Sequence, residues 1–178
     1  KIEKKFSVRA FSGGIDKFIL DNNLLQYSHV INCVNIHFLF EITKTLIRSG
    51  VKNILLEKPG GLNIVDLEEL SELSRLSNVQ VLLAYNRRFY SSVQALKKYA
   101  KKDGGIISTH FEFTEWIHTI NPNDYDEETL NKWIMANSSH VIDTVFYLIG
   151  NPKIINSKIS GRSKISWHPS GSIFYGMG

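Results

Sequence analysis

A short apolar run, Asn53-Ile54-Leu55-Leu56, leads directly into Glu57-Lys58-Pro59, and this junction indicates the architecture of the first half of the chain. The run has the length and composition of a buried β-strand. An amphipathic helix is predicted on each side of it, and a further apolar run lies beyond each helix. The helices are predicted over 41–48 and 64–76, and the flanking strands over 30–34 and 79–84. This alternation is typical of parallel βαβ units.

The pattern changes after Asn86. A helix is predicted over 90–102, and alternating apolar residues over 106–116 predict a half-buried strand of a second sheet. Ser138 or Ser139 is expected to begin a helix that reaches Leu148, and strand-like runs follow at 154–155 and 172–175. We therefore predict two domains, over residues 1–86 and 87–178.

The composition excludes several classes of protein. The 178 residues are 43% hydrophobic and 21% charged, which argues against a disordered chain, a collagen or a coiled coil. The 21 Lys and Arg against 17 Asp and Glu form no basic block, so nucleic-acid binding is not predicted. A single cysteine, Cys33, favours a reducing compartment and hence a cytoplasmic protein. The sequence has no apolar stretch of membrane-spanning length, so no membrane association is predicted.

Lys58 is the first candidate for chemistry. In open α/β sheets, ligands bind beyond the carboxyl ends of the strands, and Lys58 follows such an end. Pro59 restricts the backbone of Lys58 to an extended conformation. We predict Lys58 as a proton-transfer group, and the alternative is a solvated lysine in a loop.

His140 and Asp143 form the second candidate site. Their separation of three positions places both on one face of the predicted helix. An imidazole titrates near physiological pH, which suits it to accept a hydroxyl proton while a hydride leaves the same carbon. The alternative is a structural histidine and aspartate pair.

The segment after the third strand, Tyr85-Asn86-Arg87-Arg88-Phe89-Tyr90, is the third candidate. The two arginines are suited to clamp a phosphate or carboxylate, and the asparagine to bind a ribose or an amide. An inter-domain salt bridge is the alternative for the arginines. Trp116 and Trp133 are predicted to line a sugar or nicotinamide site, with burial in the core as the alternative.

Other signatures of chemistry are missing. The sequence contains no glycine-rich phosphate loop, no C-x-x-C or H-E-x-x-H motif and no nucleophile elbow. Six scattered histidines give no closed set of ligands, so no metal site is predicted.

Three motifs in order, Glu57-Lys58-Pro59, then Asn86-Arg87-Arg88, then Ser138-x-His140-x-x-Asp143, resemble the glucose-fructose oxidoreductase/inositol dehydrogenase (Gfo/Idh/MocA) family. The resemblance extends from about residue 28 to residue 150. It implies a partial Rossmann-type parallel-sheet domain, followed by a partial α+β domain with a largely antiparallel open sheet. It also implies NAD or NADP as cofactor, a sugar or nucleotide sugar as substrate, and a possible homodimer.

The resemblance also implies roles for single residues. Lys58 and His140 are the implied catalytic groups. The implied cofactor contacts are His37, Glu57, Pro59, Asn86 and Arg87. We predict substrate contacts at Arg88, Trp116, Trp133 and Asp143.

The chain departs from the family pattern at two places. Many members have an aspartate and a glycine where Ala136 and Ser138 stand here. The first strand and its glycine loop are not recognisable, so we expect a chain truncated at both ends, without the helix N-terminus that binds the cofactor diphosphate.

We therefore predict an oxidoreductase that transfers a hydride between a nicotinamide cofactor and a sugar or nucleotide-sugar hydroxyl or ketone. The first alternative is a non-catalytic sugar-binding or assembly protein that kept the fold but lost cofactor binding. A further alternative is a phosphosugar-binding module centred on Arg87 and Arg88.

Overall fold

The structure is a computed structural model that describes residues 2–112, 116–159 and 172–177. The chain divides into two compact units, Lys1–Ala84 and Tyr85–Gly178. The first unit contains a three-stranded sheet and the second a two-stranded sheet. The fold class is the one predicted: the chain is mixed α/β, and its small parallel sheet is consistent with a partial Rossmann-like domain.

The sheet of the first unit is parallel throughout. Its strands are β1 (Val30–Asn32), β2 (Asn53–Leu56) and β3 (Gln80–Leu83), in the order β1-β2-β3. Ile31 pairs with Leu55, and Leu55 pairs with Leu82, so these three side chains form one row across the sheet. All three predicted strands are confirmed.

Helices connect the consecutive strands, as the parallel direction requires. The first unit contains α1 (Ile2–Phe6), α2 (Gly14–Asp21), α3 (Leu39–Arg48) and α4 (Ile64–Ser77), with 3-10 turns at Leu24–Gln26 and Ile36–Phe38. Gly50, just beyond α3, has a φ of 86°, in the left-handed region where helices commonly end. Asn78 ends α4 in the left-handed conformation.

The core of the first unit lies between the sheet and its crossover helices. Its most deeply buried aliphatic side chains come from α3, β2 and the turn between them: Leu39, Leu46, Ile47, Val51, Ile54 and Leu56. Leu70 of α4 joins the same cluster. Alternate residues of a strand point to opposite faces, so Ile54 and Leu56 lie inside while Leu55 does not.

The second unit begins with a 3-10 turn at Asn86–Phe89. It continues with α5 (Ser91–Lys102), 3-10 turns at Ile117–Thr119 and Pro122–Asp124, α6 (Glu127–Asn131), a π-helix at Ile134–Ser138 and α7 (Ser139–Ile149). The last strands, β4 (Ile154–Ile159) and β5 (Ser172–Met177), pair antiparallel. The predicted helices over 90–102 and up to Leu148 are thus confirmed. Among the helices of the described residues, none is long and apolar enough to cross a membrane.

The predicted strand over 106–116 is wrong for residues 106–112, which form no strand, and its residues 113–115 lie outside the described residues. Gly104 and Gly105, both at positive φ, turn the chain just before it, and Ile107 is fully exposed. An alternating pattern becomes a strand only when a partner strand pairs with it. Among the described residues, β4 pairs with β5, and no described strand pairs with residues 106–112.

Candidate functional site

The carboxyl ends of β1, β2 and β3 lie along one edge of the sheet in the first unit, because the strands are parallel. His37 follows β1 at this edge, and Glu57, Lys58 and Pro59 follow β2. The structure therefore brings four of the predicted site residues to one edge, where ligands bind in open α/β sheets.

The segment after β2 is tightly fixed at its backbone. The Glu57 N–H donates to the Asn32 carbonyl oxygen at 2.8 Å, and the Ala84 N–H donates to the Leu56 carbonyl oxygen at 2.8 Å. The Lys58–Pro59 peptide bond is cis, and the ring of Pro59 is fully buried. Glu57 and Lys58 themselves are half-buried. The ammonium group of Lys58 is thus attached to a well-anchored backbone at the sheet edge.

Asn32, the last residue of β1, is a polar group that the sequence analysis missed. Its side chain is 3% exposed, and its amide donates to the Leu39 carbonyl at 3.1 Å and to the Thr43 hydroxyl oxygen at 3.0 Å. It therefore ties the end of β1 to the first turns of α3, across the loop that contains His37. The signal in the sequence was a polar residue within an apolar run, matched by Thr43 in the buried face of the following helix.

His37 itself is exposed and lies in the 3-10 turn that follows β1. Its backbone N–H donates to the side-chain oxygen of Asn35 at 3.2 Å, a local bond that fixes the turn. The loop thus sets the position of His37 at the sheet edge. The hydrogen bonds from Asn32 to α3 fix the same loop.

In the second unit, Arg88 and Asp143 form an ion pair. The Arg88 Nε donates to Asp143 Oδ2 at 2.8 Å, and its Nη2 donates to Asp143 Oδ1. The side chain of Asp143 is 11% exposed and that of Arg88 is 40% exposed. The hydrogen bond that Arg88 donates to Asp143 raises the pKa of Arg88 against the opposing effect of burial, so the guanidinium stays charged. A salt bridge was the alternative for the arginines, and for Arg88 it forms within the second unit.

Aromatic rings surround this ion pair. The Arg88 guanidinium lies 5.7 Å from the ring centre of Tyr85 and 5.4 Å from that of Tyr147. The Tyr85 ring also contacts the half-buried imidazole of His140 edge-to-face, with centres 5.6 Å apart and planes at 88°. Tyr85, for which the sequence predicted no role, thus contacts both the guanidinium of Arg88 and the imidazole of His140, the candidate catalytic group.

The helices α5 and α7 meet beside the same group. Gln94 Nε2 donates to the Tyr147 hydroxyl at 3.1 Å and to the Arg88 carbonyl. The Lys97 Nζ lies 3.5 Å from the centre of the Tyr147 ring. The hydrogen bond from Gln94, followed by that from Lys97, lowers the pKa of Tyr147.

The predicted tryptophans lie in different surroundings. Trp133 is buried and packs edge-to-face on Tyr125 with ring centres 5.0 Å apart, which favours the core alternative. Trp116 is exposed, and its ring is stacked on that of His118 at 6.5 Å. Asn86 and Arg87 are exposed in the 3-10 turn.

Lys58 and His140, the catalytic groups that the resemblance implies, belong to different units, and their shared role stays a prediction. Within residues 2–112, 116–159 and 172–177, no three His, Cys, Asp or Glu side chains are grouped so that they could hold a metal ion.

Comparison with known proteins shows the fold. No family model and no curated protein sequence matches the chain. Among solved structures, a dehydrogenase from Chromobacterium violaceum is similar, with a TM-score of 0.67, 16% identity, and coverage of 90% of this chain and 46% of that one. The WlbA (WbpB) dehydrogenase from Thermus thermophilus, in complex with NAD and UDP-GlcNAcA, has a TM-score of 0.64 and 16% identity over 88% of this chain and 53% of that one.

A second structure of WlbA, in complex with NAD and alpha-ketoglutarate, has a TM-score of 0.62 and 15% identity over 88% of this chain and 52% of that one. The chain thus spans about half the length of the solved structures that it matches. Its structural neighbours are dehydrogenases and oxidoreductases, and the likeness at this identity is one of fold.

Proposed function

We propose that the protein is an oxidoreductase that transfers a hydride between NAD or NADP and a hydroxyl or ketone carbon of a sugar or nucleotide sugar. One observation carries this proposal. His37, Glu57, Lys58 and Pro59 lie at the carboxyl edge of a parallel sheet, in a fold shared with a dehydrogenase whose structure contains NAD and UDP-GlcNAcA.

The side chains at this edge fit a dinucleotide. His37 supplies an exposed imidazole that can donate to phosphate or carboxamide oxygens. In the second unit, the exposed Asn86 and Arg87 supply an amide and a guanidinium of the same kind. We assign His37, Asn86 and Arg87, with Glu57 and Pro59 shaping the backbone, to cofactor binding. A bound nicotinamide would supply the carbon that takes up or gives up the hydride.

Proton transfer is assigned to Lys58 and His140. When an alcohol carbon loses a hydride, the O–H bond breaks as the C=O bond forms, so a base must accept the hydroxyl proton; in reduction the same group returns it. An imidazole and an amine are both suited to this exchange. The anchored backbone of Lys58 and the ring contact of Tyr85 with His140 hold the two groups in place within their own units.

The exposed ring of Trp116 is the candidate platform for the sugar, since a sugar's apolar face packs well on an aromatic ring. Trp133 is buried and packs on Tyr125, so it is not assigned to this platform.

A second candidate function is a non-catalytic sugar-binding or assembly protein. The observation that favours it is the residue set of the π-helix, where Ala136 and Ser138 replace the acid and glycine that many members of the resembling family have. The alanine has no group that can exchange a proton, so fewer catalytic groups are present. π-Helical segments are nevertheless frequent at functional sites, which leaves the first proposal in place.

The test is hydride transfer in the full-length protein, followed by the absorbance of the reduced nicotinamide with nucleotide sugars as substrates. Lys58→Ala is expected to lower kcat by about 10²-fold or more. Lys52→Ala is the matched control, because it removes an exposed lysine at the opposite end of the same strand. Turnover of Lys58→Ala within a few-fold of the wild type would show that the catalytic assignment is wrong.

Calorimetric titration with NADH and NADPH separates the two candidate functions. Binding of either cofactor by the full-length protein, together with turnover, supports the oxidoreductase. Binding of a nucleotide sugar without any cofactor binding supports the non-catalytic alternative.

A further inference from the structure

Arg88 connects three separate elements of the second unit. Its side chain pairs with Asp143 of α7, its carbonyl accepts a hydrogen bond from Gln94 of α5, and its own backbone belongs to the 3-10 turn Asn86–Phe89. Arg88 therefore ties this turn to both α5 and α7.

We propose that Arg88 and Asp143 are a positioning pair for His140, which keep its imidazole against the ring of Tyr85. This inference rests on the proton-transfer role proposed for His140. It assigns both residues a positioning role, which differs from binding a ligand and from a purely structural salt bridge.

The contacts form a closed set. Asp143 lies three positions after His140, so both side chains are on one face of α7. Tyr85 lies three positions before Arg88 and contacts both the guanidinium, at 5.7 Å, and the imidazole, at 5.6 Å. The Arg88–Asp143 ion pair and the Tyr85–His140 ring contact thus join the segment 85–88 to α7 at two points. Each contact limits the movement of the side chains in the other.

The geometry of the pair suits positioning better than ligand binding. Arg88 donates to both carboxylate oxygens of Asp143, and such forked pairs fix orientation as well as distance. The side chain of Asp143 is only 11% exposed, so solvent and salt screen the pair less than a surface pair. Because both carboxylate oxygens of Asp143 accept from Arg88, the role that we infer for Asp143 is to position His140.

The test uses the histidine ring signals of the full-length protein in ¹H–¹³C correlation spectra. His140→Gln identifies the His140 signal by its disappearance. Asp143→Asn and Arg88→Met are expected to shift that signal, because the ring of Tyr85 no longer holds its place beside the imidazole. Both variants are also expected to lower kcat, by up to about 10²-fold, with a smaller change in KM. Arg88→Lys keeps the charge but not the fork, and is expected to restore the signal only in part.

Arg75→Met is the matched control. Arg75 also donates to both carboxylate oxygens of its partner, Glu72, but this pair is exposed on α4 in the first unit. The control is expected to leave both the His140 signal and kcat unchanged.

Two results distinguish this inference from the proposed function. If the His140 signal in Asp143→Asn and Arg88→Lys matches that of the wild type, the positioning pair is refuted while the oxidoreductase proposal stands. If the pair variants move the signal but His140→Gln keeps full turnover, the proton-transfer role is refuted, and with it the functional meaning of the pair. If Arg88→Met does not fold, the isosteric Asp143→Asn and the charge-conserving Arg88→Lys still decide between these outcomes.

Discussion

Gly60, directly after the Lys58–Pro59 bond, is held in a conformation that other residues rarely adopt. Its φ is 85°, and a Cβ at this position would lie 2.7 Å from Leu83 Cδ2 and 3.2 Å from Leu56 Cδ2. The Leu56 side chain is fully buried, so it cannot move aside as the half-exposed Leu83 can. A side chain at residue 60 is therefore opposed by both the backbone and the core.

We expect Gly60→Ala to lower the free energy of unfolding by about 2 kcal/mol or more, from left-handed backbone strain and from overpacking. Urea denaturation followed by circular dichroism measures the loss. Gly14→Ala is the control in the same unit, since Gly14 has a φ of 82° but nothing within 4 Å of its Cβ position. That variant is expected to lose only the strain, about 1 kcal/mol. Equal losses in the two variants would mean that the contacts with Leu83 and Leu56 do not matter.

The residue scale also shows where the sequence could and could not place the site. The position of Lys58 was predictable, because the end of a parallel strand defines where the next residue lies. The bond partner of Arg88 was not, because Asp143 is 55 positions away and Arg87 stands beside it with the same chemistry. Whether Arg87 or Arg88 pairs with Asp143 depends on how the 3-10 turn packs on α7. No local sequence pattern predicts this packing. Asn32 was missed for the same reason, since its partners belong to α3.

At the scale of elements, the contact between α5 and α7 is built on a charged and an aromatic side chain. The Lys97 Nζ lies over the ring of Tyr147, and Gln94 donates to its hydroxyl. Both interactions favour the phenolate, so the pKa of Tyr147 is lower in the folded protein than in the unfolded chain. The stability that follows from this difference is present above the pKa of the unfolded tyrosine and is lost as the pH falls through the lower pKa of the folded one.

We expect Lys97→Met to raise the pKa of Tyr147, because the hydrogen bond and the positive charge from Lys97 are removed while that from Gln94 stays. Ultraviolet absorbance of the phenolate against pH measures the change, with Tyr147→Phe subtracted to isolate this residue from the other tyrosines. Lys98→Met removes the same charge from the next position of α5 and is the control. A Tyr147 titration that is the same in Lys97→Met and Lys98→Met would contradict the assigned contact.

Elements were predictable where their signal is local. The helices α3, α4, α5 and α7 have apolar residues at helical spacing or clear stop residues, and β1 to β3 are short apolar runs between them. The strand expected over 106–116 had an equally clear alternation, yet residues 106–112 form none. A strand depends on a neighbour that is distant in sequence, whereas a helix makes its hydrogen bonds within itself.

At the scale of the whole chain, the sheet of the first unit has two unlike faces. Ile54 and Leu56 face the core, whereas Ile31, Leu55 and Leu82 form a row that is 67%, 40% and 54% exposed. Parallel sheets are normally covered on both faces, so a row of aligned aliphatic side chains in contact with water is unusual. Such a row is an exposed apolar patch and not a set of scattered residues.

We expect the 178-residue chain to bind the dye ANS at this row, with a rise in fluorescence. The double variant Ile31→Thr and Leu82→Thr should reduce that rise while it keeps the urea midpoint, since threonine is well suited to strands. Leu20→Gln, at an exposed position of α2 outside the row, should leave the fluorescence unchanged.

On the other face of the sheet, Ile54→Ala should lower the free energy of unfolding by about 2–5 kcal/mol, because Ile54 is in the core. Fluorescence that the double variant does not reduce, or an Ile54→Ala loss no larger than that of Leu55→Ala, would mean that the two faces of the sheet have been assigned wrongly.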